Sequence, residues 1–310
     1  MVAPISFHGW PSRDCAHPFR RNGNKKGKPQ VPDRQGAFAG ILSRVQVNAP
    51  FQQLVDGYLD LFLRCRINPE IGFDASVLDR RDELPLEQVA RLFEEDGRSV
   101  TLHGPFMDLA PGALDDRIRE VTARRLLETM ELVPLFRPLS VVFHVGYDDR
   151  CYNDYRREWL AGSLATWEPI ARRAEGLGVM ISLENVYEQT PDMIVALLDS
   201  LSSRNMGFCL DVGHQNAFST TPLAEWLKVL GSRLREVHLH DNNGRGDDHG
   251  PIGIGTVAFP TLFAYLVETG LRLLVTLEPH AEASLWKSLE ALETLWPWVD
   301  EAPAVNRVNV

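Results

Sequence analysis

Cysteine is scarce and scattered in this 310-residue chain: Cys15, Cys65, Cys151 and Cys209, with no CxxC pair among them. That spacing excludes a disulfide framework and a cysteine zinc finger, and it fits a reducing, cytoplasmic setting. Long apolar runs are missing too. Nothing approaches the ~20 consecutive apolar residues that a bilayer span requires, so no membrane helix is expected. Basic residues are outnumbered, 32 Lys and Arg against 42 Asp and Glu, and the net charge of −10 argues against a nucleic-acid partner. Hydrophobic residues, at 44%, suffice for a large core, which excludes disorder of the whole chain.

The basic charge that exists is unevenly placed. Residues 1–38 hold seven Lys and Arg against Asp14 and Asp33, a local net of +5 that leaves −15 for the rest. The same stretch has five prolines, four glycines and almost no apolar periodicity. Residues 1–40 therefore read as a flexible basic extension. They lack the apolar segment of a secretion signal, and their Pro and Gly content spoils an amphipathic transit helix. Residues 301–310 read as a C-terminal tail.

From residue 41 to 300 short apolar runs alternate with longer segments of helical spacing. Strand candidates are 44–48, 70–74, 99–103, 140–144, 179–184, 206–211, 236–240 and 273–278. Their near-continuous apolar character implies burial on both faces, as in a parallel sheet covered by helices. Eight such units predict an α/β fold, a single (β/α)8 TIM barrel preceded by the flexible extension.

The chemistry gathers at the C-terminal ends of those strands. The third ends in His103, the fourth in His144, the fifth in Glu184 and the sixth in Asp211, with His214 three residues on. The seventh carries His238 and His240, followed by Asp241, Asp247 and His249; the eighth ends in Glu278, with His280 after it. In a barrel these ends converge on one mouth, where barrel enzymes place their active sites. A single polar strand end is usually just a satisfied polar residue. Six consecutive ones are hard to explain that way, because each unpaired buried polar group costs on the order of 1–3 kcal/mol. Imidazole and carboxylate donors without thiolates suit Zn²⁺, Mn²⁺, Co²⁺ or Mg²⁺. His8 and His17, in the basic extension, are assigned no role. Gly253 and Gly255 are read as letting the loop after the seventh strand fold tightly over the mouth.

Taken as a set, HGPF, FHVG, SLEN, CLDVGH, HLHDN, DDHGPIGIG and LEPH resemble the xylose isomerase-like barrel superfamily over residues 41–298. That superfamily includes sugar-phosphate isomerases and epimerases as well as endonuclease IV-type enzymes, the second apurinic/apyrimidinic endonuclease family. The epimerase resemblance implies one divalent ion held by Glu184, Asp211, His238 and Glu278. The endonuclease IV resemblance implies up to three ions, with His103, His144, His214, Asp247 and His249 as further ligands. Endonuclease IV carries Asn at the place of His240, although Phe106 stands where that enzyme presents an aromatic wedge.

The expected function is metal-dependent isomerisation or epimerisation of a sugar or sugar phosphate, by proton transfer α to a metal-bound carbonyl. Glu184, Glu278 and His214 are the expected catalytic residues, and His103, His240 and Asp241 the substrate pocket. A zinc phosphodiesterase acting on abasic DNA is the alternative. A sugar-binding barrel without catalysis is disfavoured because every acid, base and ligand position is filled. Homo-oligomerisation is left open.

Overall fold

A computed structural model of the protein describes residues 38–298. Residues 1–37 and 299–310, and with them Cys15, His8, His17 and the C-terminal tail, lie outside the described residues. Eight strands, β1 (Gln46–Pro50), β2 (Asn68–Gly72), β3 (Thr101–His103), β4 (Ser140–His144), β5 (Met180–Glu184), β6 (Met206–Asp211), β7 (Leu234–Leu239) and β8 (Leu274–Leu277), pair in parallel and in chain order. Pairing of β1 with β8 closes the barrel, as the alternation of elements predicts. β2 begins two residues earlier than expected, which brings Asn68 into the ladder opposite Gln46.

The covering helices are amphipathic and stopped by recognisable signals. Helix α1 (Asp116–Met130) starts where the Asp115 carboxylate accepts from the Arg117 N–H at 2.8 Å. Helix α2 (Arg156–Leu177) and helix α3 (Phe259–Thr269) end at Gly178 and Gly270, both in the left-handed region that glycine enters without steric cost. No helix among the described residues is long and apolar enough to cross a membrane.

The hydrophobic core is a ring between barrel and helices. Outward-facing Val141, Phe143, Ile181, Leu183, Phe208, Leu210, Val237 and Leu239 are fully buried there. Phe143 packs on Trp167 with ring centroids 5.8 Å apart, and Phe208 on Trp226 at 6.1 Å. The barrel interior is different and corrects the expectation of strands apolar on both faces. Barrel interiors usually carry layers of Val, Ile and Leu. Here every second residue faces inward and, with Val142 and Cys209 among the exceptions, many of these are polar, as in Asn48, Glu70, Thr101, Ser140, Ser182, Glu236 and Thr276. These side chains hydrogen-bond to one another across the strands: Asn48 Nδ2 donates to Glu70 Oε1 at 2.9 Å, Thr101 Oγ1 to Glu70 Oε2 at 3.2 Å, and the Ser140 and Ser182 hydroxyls meet at 3.0 Å. The strands are buried on both sides, yet only one side is oil.

Candidate metal centre

Strand register sets the donors side by side before any side-chain contact is considered. Pairing of β4 with β5 puts His144 beside Glu184, and pairing of β6 with β7 puts Asp211 beside His238. Asn185 then ties two strand ends together: its amide donates to the Asp211 carbonyl and accepts from the Asp211 N–H, both at 3.0 Å. Asp211 also caps the short helix Val212–Phe218, with Oδ1 accepting from the His214 N–H at 2.6 Å. Gly213 in that turn is required by space, since a Cβ there would meet the His240 ring.

Five ligand-competent groups result, some sharing residues; one of them, Glu70, Glu236 and His238, lies inside the bore, and three divide the mouth between them. Glu184, Asp211, His238 and Glu278 each bring one donor atom to within 4.8 Å of the others, and all four are buried. His238 Nδ1 lies 3.1 Å from Glu278 Oε1 and 3.4 Å from Glu184 Oε1. Beside this group, Glu184 Oε2 faces His103 Nε2 at 3.0 Å and His144 Nε2 at 3.3 Å. On the other side, His214, His240, Asp247 and His249 form a third group. There Asp247 Oδ2 lies 3.3 Å from His214 Nε2 and 3.1 Å from His249 Nε2. The second nitrogens of those two rings are held by backbone carbonyls, His214 Nδ1 on Asn185 O and His249 Nδ1 on Glu278 O, both at 3.0 Å. Such outer bonds fix which nitrogen a histidine offers to an ion.

The donor set fits a divalent ion. Both ring nitrogens of His238 and Asp211 Oδ2 are buried without a hydrogen-bond partner, a state proteins seldom leave uncompensated. Three carboxylates around one imidazole in a dry pocket also call for positive charge. Burial would lower the His103 basicity, but Glu184 and Glu70 outweigh it and push its pKa up to about 9. Burial likewise works against ionisation of Glu184, and the surrounding histidines overcome it and hold the carboxyl well below the usual range.

Among the expected substrate-pocket residues, His103 borders the Glu184 group, His240 joins the third group and Asp241 faces the loop after β7. Asp241 is turned into the loop that follows β7: Oδ1 accepts from the N–H of Asn242 and Val257 at 2.9 and 3.1 Å, and Oδ2 from Gly253 and Gly255 at 2.9 and 2.8 Å. Four backbone donors use up the carboxylate, so Asp241 clamps the loop and is not free to contact a substrate. Gly255 fits that clamp because a Cβ would meet Asn242 O and Asp241 Oδ1. Asp241→Ala is expected to leave four N–H groups without their acceptor and cost about 2–3 kcal/mol; faster amide exchange at Gly253, Gly255 and Val257 is the measurement that checks it. His240, also expected in the pocket, is fully buried with Nε2 3.1 Å from Asp211 Oδ1. It stacks on His249, which stacks in turn on His280, each pair 3.8 Å apart. Phe106 is 41% exposed and lies over His144 with centroids 4.5 Å apart, a wall of the mouth.

Three acids escaped the sequence reading. Glu70 and Glu236 are fully buried beneath His238, and Glu188 lies buried four residues after Glu184. Burial, joined by the Glu70 charge, pushes Glu236 up to about 8, and burial pushes Glu188 up to about 7. The hydrogen count agrees for Glu236. Thr276 Oγ1 lies 3.2 Å from Glu70 Oε2 and 3.1 Å from Glu236 Oε1, and its single hydrogen serves both carboxyls only if one of them is protonated. The place of Glu236 in REVHLH, two residues before His238 and so on the same strand face, is the signal that would have found it.

The model of the xylose isomerase-like TIM barrel family matches residues 69–295. The chain belongs to that family. Among its relatives is MJ1311, an uncharacterised protein of Methanocaldococcus jannaschii, 31% identical over 66% of this chain and 72% of that one. The ketose 3-epimerase of Arthrobacter globiformis is 31% identical over 54% of this chain and 62% of its own length. Among solved structures, a D-tagatose 3-epimerase-like protein superposes with a TM-score of 0.70 at 25% identity, covering 82% of this chain and 97% of that one. The zinc-soaked TTHB071 protein of Thermus thermophilus superposes at 0.68 and 27% identity, over 81% of this chain and 98% of its own. A xylose isomerase-like barrel thus presents ten ligand-competent side chains at one mouth.

Proposed function

We propose that the protein is a divalent-metal-dependent sugar isomerase or epimerase that moves a proton on the carbon α to a carbonyl. The observation that carries the reading is the convergence of Glu184, Asp211, His238 and Glu278, one from each of four successive strands, within 4.8 Å. A bound divalent ion supplies Lewis-acid polarisation of the substrate carbonyl. Glu278 takes the α-proton: it is the most exposed of the four ligands, and its Oε2 faces His249 Nδ1 only at 3.8 Å, beyond hydrogen-bond reach. Glu184 stands across His238 with Oε2 held by His103 and His144, so a proton passes along His103 and Glu184 to the opposite face of the same carbon. His214 is fixed by Asn185 O and Asp247 and holds its ring still while this happens. Phe106 offers an apolar wall to the C–H face of the sugar. Relatives named as a ketose 3-epimerase and a D-tagatose 3-epimerase-like protein support a small sugar as substrate.

A three-ion phosphodiesterase is the second reading, favoured by the three donor groups that meet at this mouth. His240 weighs against it. With His240, an ion in the third group would meet four protein donors, the complement of a closed structural site rather than an open catalytic one. The deciding experiment incubates the metal-loaded protein with D-tagatose, D-fructose and their phosphates in heavy water. Loss of the proton signal α to the carbonyl, with appearance of the epimer, is expected. Absence of exchange in all of them, together with cleavage of an abasic-site duplex, would reverse the ranking.

A further inference from the structure

His238 sits at the centre of the donor set with no exposed surface and with neither ring nitrogen in a well-formed hydrogen bond. Its two nitrogens face opposite ways along the barrel. Nδ1 looks toward the mouth, where Glu278 and Glu184 lie 3.1 and 3.4 Å away; Nε2 looks down the bore, where Glu70 Oε2 lies at 3.4 Å. An imidazole so placed has two neutral tautomers, and only the one with its proton on Nε2 offers a lone pair to an ion at the mouth. Something below the ring has to choose.

We propose that Glu70 is the positioning residue for His238: its carboxylate draws the ring proton to Nε2, which turns the Nδ1 lone pair toward Glu184, Asp211 and Glu278. The inference rests on the metal-binding half of the proposed function and not on the identity of the sugar. Glu70 is built for that task. Asn48 Nδ2 holds Oε1 at 2.9 Å, and the hydroxyls of Thr101 and Thr276 reach Oε2 at 3.2 Å each. Those three donors come from β1, β3 and β8, while β2 supplies Glu70 and β7 supplies His238. Five of the eight strands therefore meet on one carboxylate. A salt link made only for fold stability would need no such aim. Here Asn48 takes Oε1, while Oε2, pinned by Thr101 and Thr276, is the oxygen that lies 3.4 Å from Nε2, the ring nitrogen turned away from the mouth.

The test uses the full-length protein, stripped with a chelator and titrated with Zn²⁺ and Co²⁺ by competition, alongside Glu70→Gln and Thr101→Val. Glu70→Gln is expected to weaken ion binding about 10- to 100-fold, the usual consequence of losing the outer partner of a ligating histidine; Thr101→Val should weaken it less. In wild type, long-range ¹H–¹⁵N correlation of the zinc-loaded protein with labelled histidine is expected to show His238 protonated at Nε2 and ligated through Nδ1. That measurement needs no variant and stands even if Glu70→Gln fails to fold. Ion binding by wild type with the opposite His238 tautomer would overturn the proposal, as would Glu70→Gln that lowers the melting temperature but leaves affinity and tautomer unchanged. Failure of wild type to bind either ion overturns the metal reading itself, and is thereby told apart from failure of the Glu70 assignment.

Discussion

Glu278→Gln is expected to lower the rate of solvent-proton exchange α to the carbonyl by about 10³-fold at saturating metal, near 4 kcal/mol in the barrier. The amide keeps the shape of the side chain and an oxygen for the ion, but it cannot accept a proton from carbon. Glu278 is the most exposed ligand of the main group, with an oxygen not engaged in a hydrogen bond, so the loss should fall on kcat more than on KM. Glu184→Gln should behave differently. Its oxygens face His103, His144, His214 and His238, and removing that charge disturbs three ring contacts besides the proton path, so metal affinity falls together with rate. Deuterium incorporation measured by NMR in both variants, at metal concentrations raised until the rate no longer climbs, separates the two roles. Exchange in Glu278→Gln within tenfold of wild type would remove it as the base.

Chelation should have the second large effect: complete loss of turnover and a melting temperature lower by several degrees, both restored by returning the ion. The stability part follows from mass action. An ion present at 100 times its dissociation constant adds about 2.7 kcal/mol to the folded state, and a domain of this size shifts by roughly 2–4 °C per kcal/mol. Buried Asp211 Oδ2 and both nitrogens of His238 lack a hydrogen-bond partner, which is where the ion would act. Equal melting curves with and without chelator, at unchanged activity, would sink the metal dependence. Metal analysis of the loaded protein adds the count, near one ion per chain for the epimerase reading and near three for the phosphodiesterase.

The barrel and the mouth were legible because both leave one-dimensional traces. Apolar runs at regular intervals mark strands, and a parallel barrel has no choice but to gather their C-terminal ends. His103, His144, Glu184, Asp211, His238 and Glu278 could thus be placed together from position alone. Residues whose role depends on where backbone N–H groups point were not legible. Asp241 follows HLH and looks like a pocket residue, but its partners at Gly253, Gly255 and Val257 lie across a folded loop. Glu70 and Glu236 were hidden for another reason. Each looked like the polar first residue of a strand, whereas β2 and β7 begin two residues earlier and carry both acids into the bore. A shift of two residues keeps the face and changes the depth.

The polar bore has a consequence for how such a protein changes over generations. What keeps the fold standing is the apolar sleeve of Phe143, Trp167, Phe208 and Trp226, outside the strands. On the proposed function, what would decide the chemistry is the inner column running from Ser140, Glu236 and Glu70 up to His238. The two share strands but alternate along them, so neighbouring codons answer to separate demands. Inner positions can drift toward another ion or another sugar while the sleeve stays as it is.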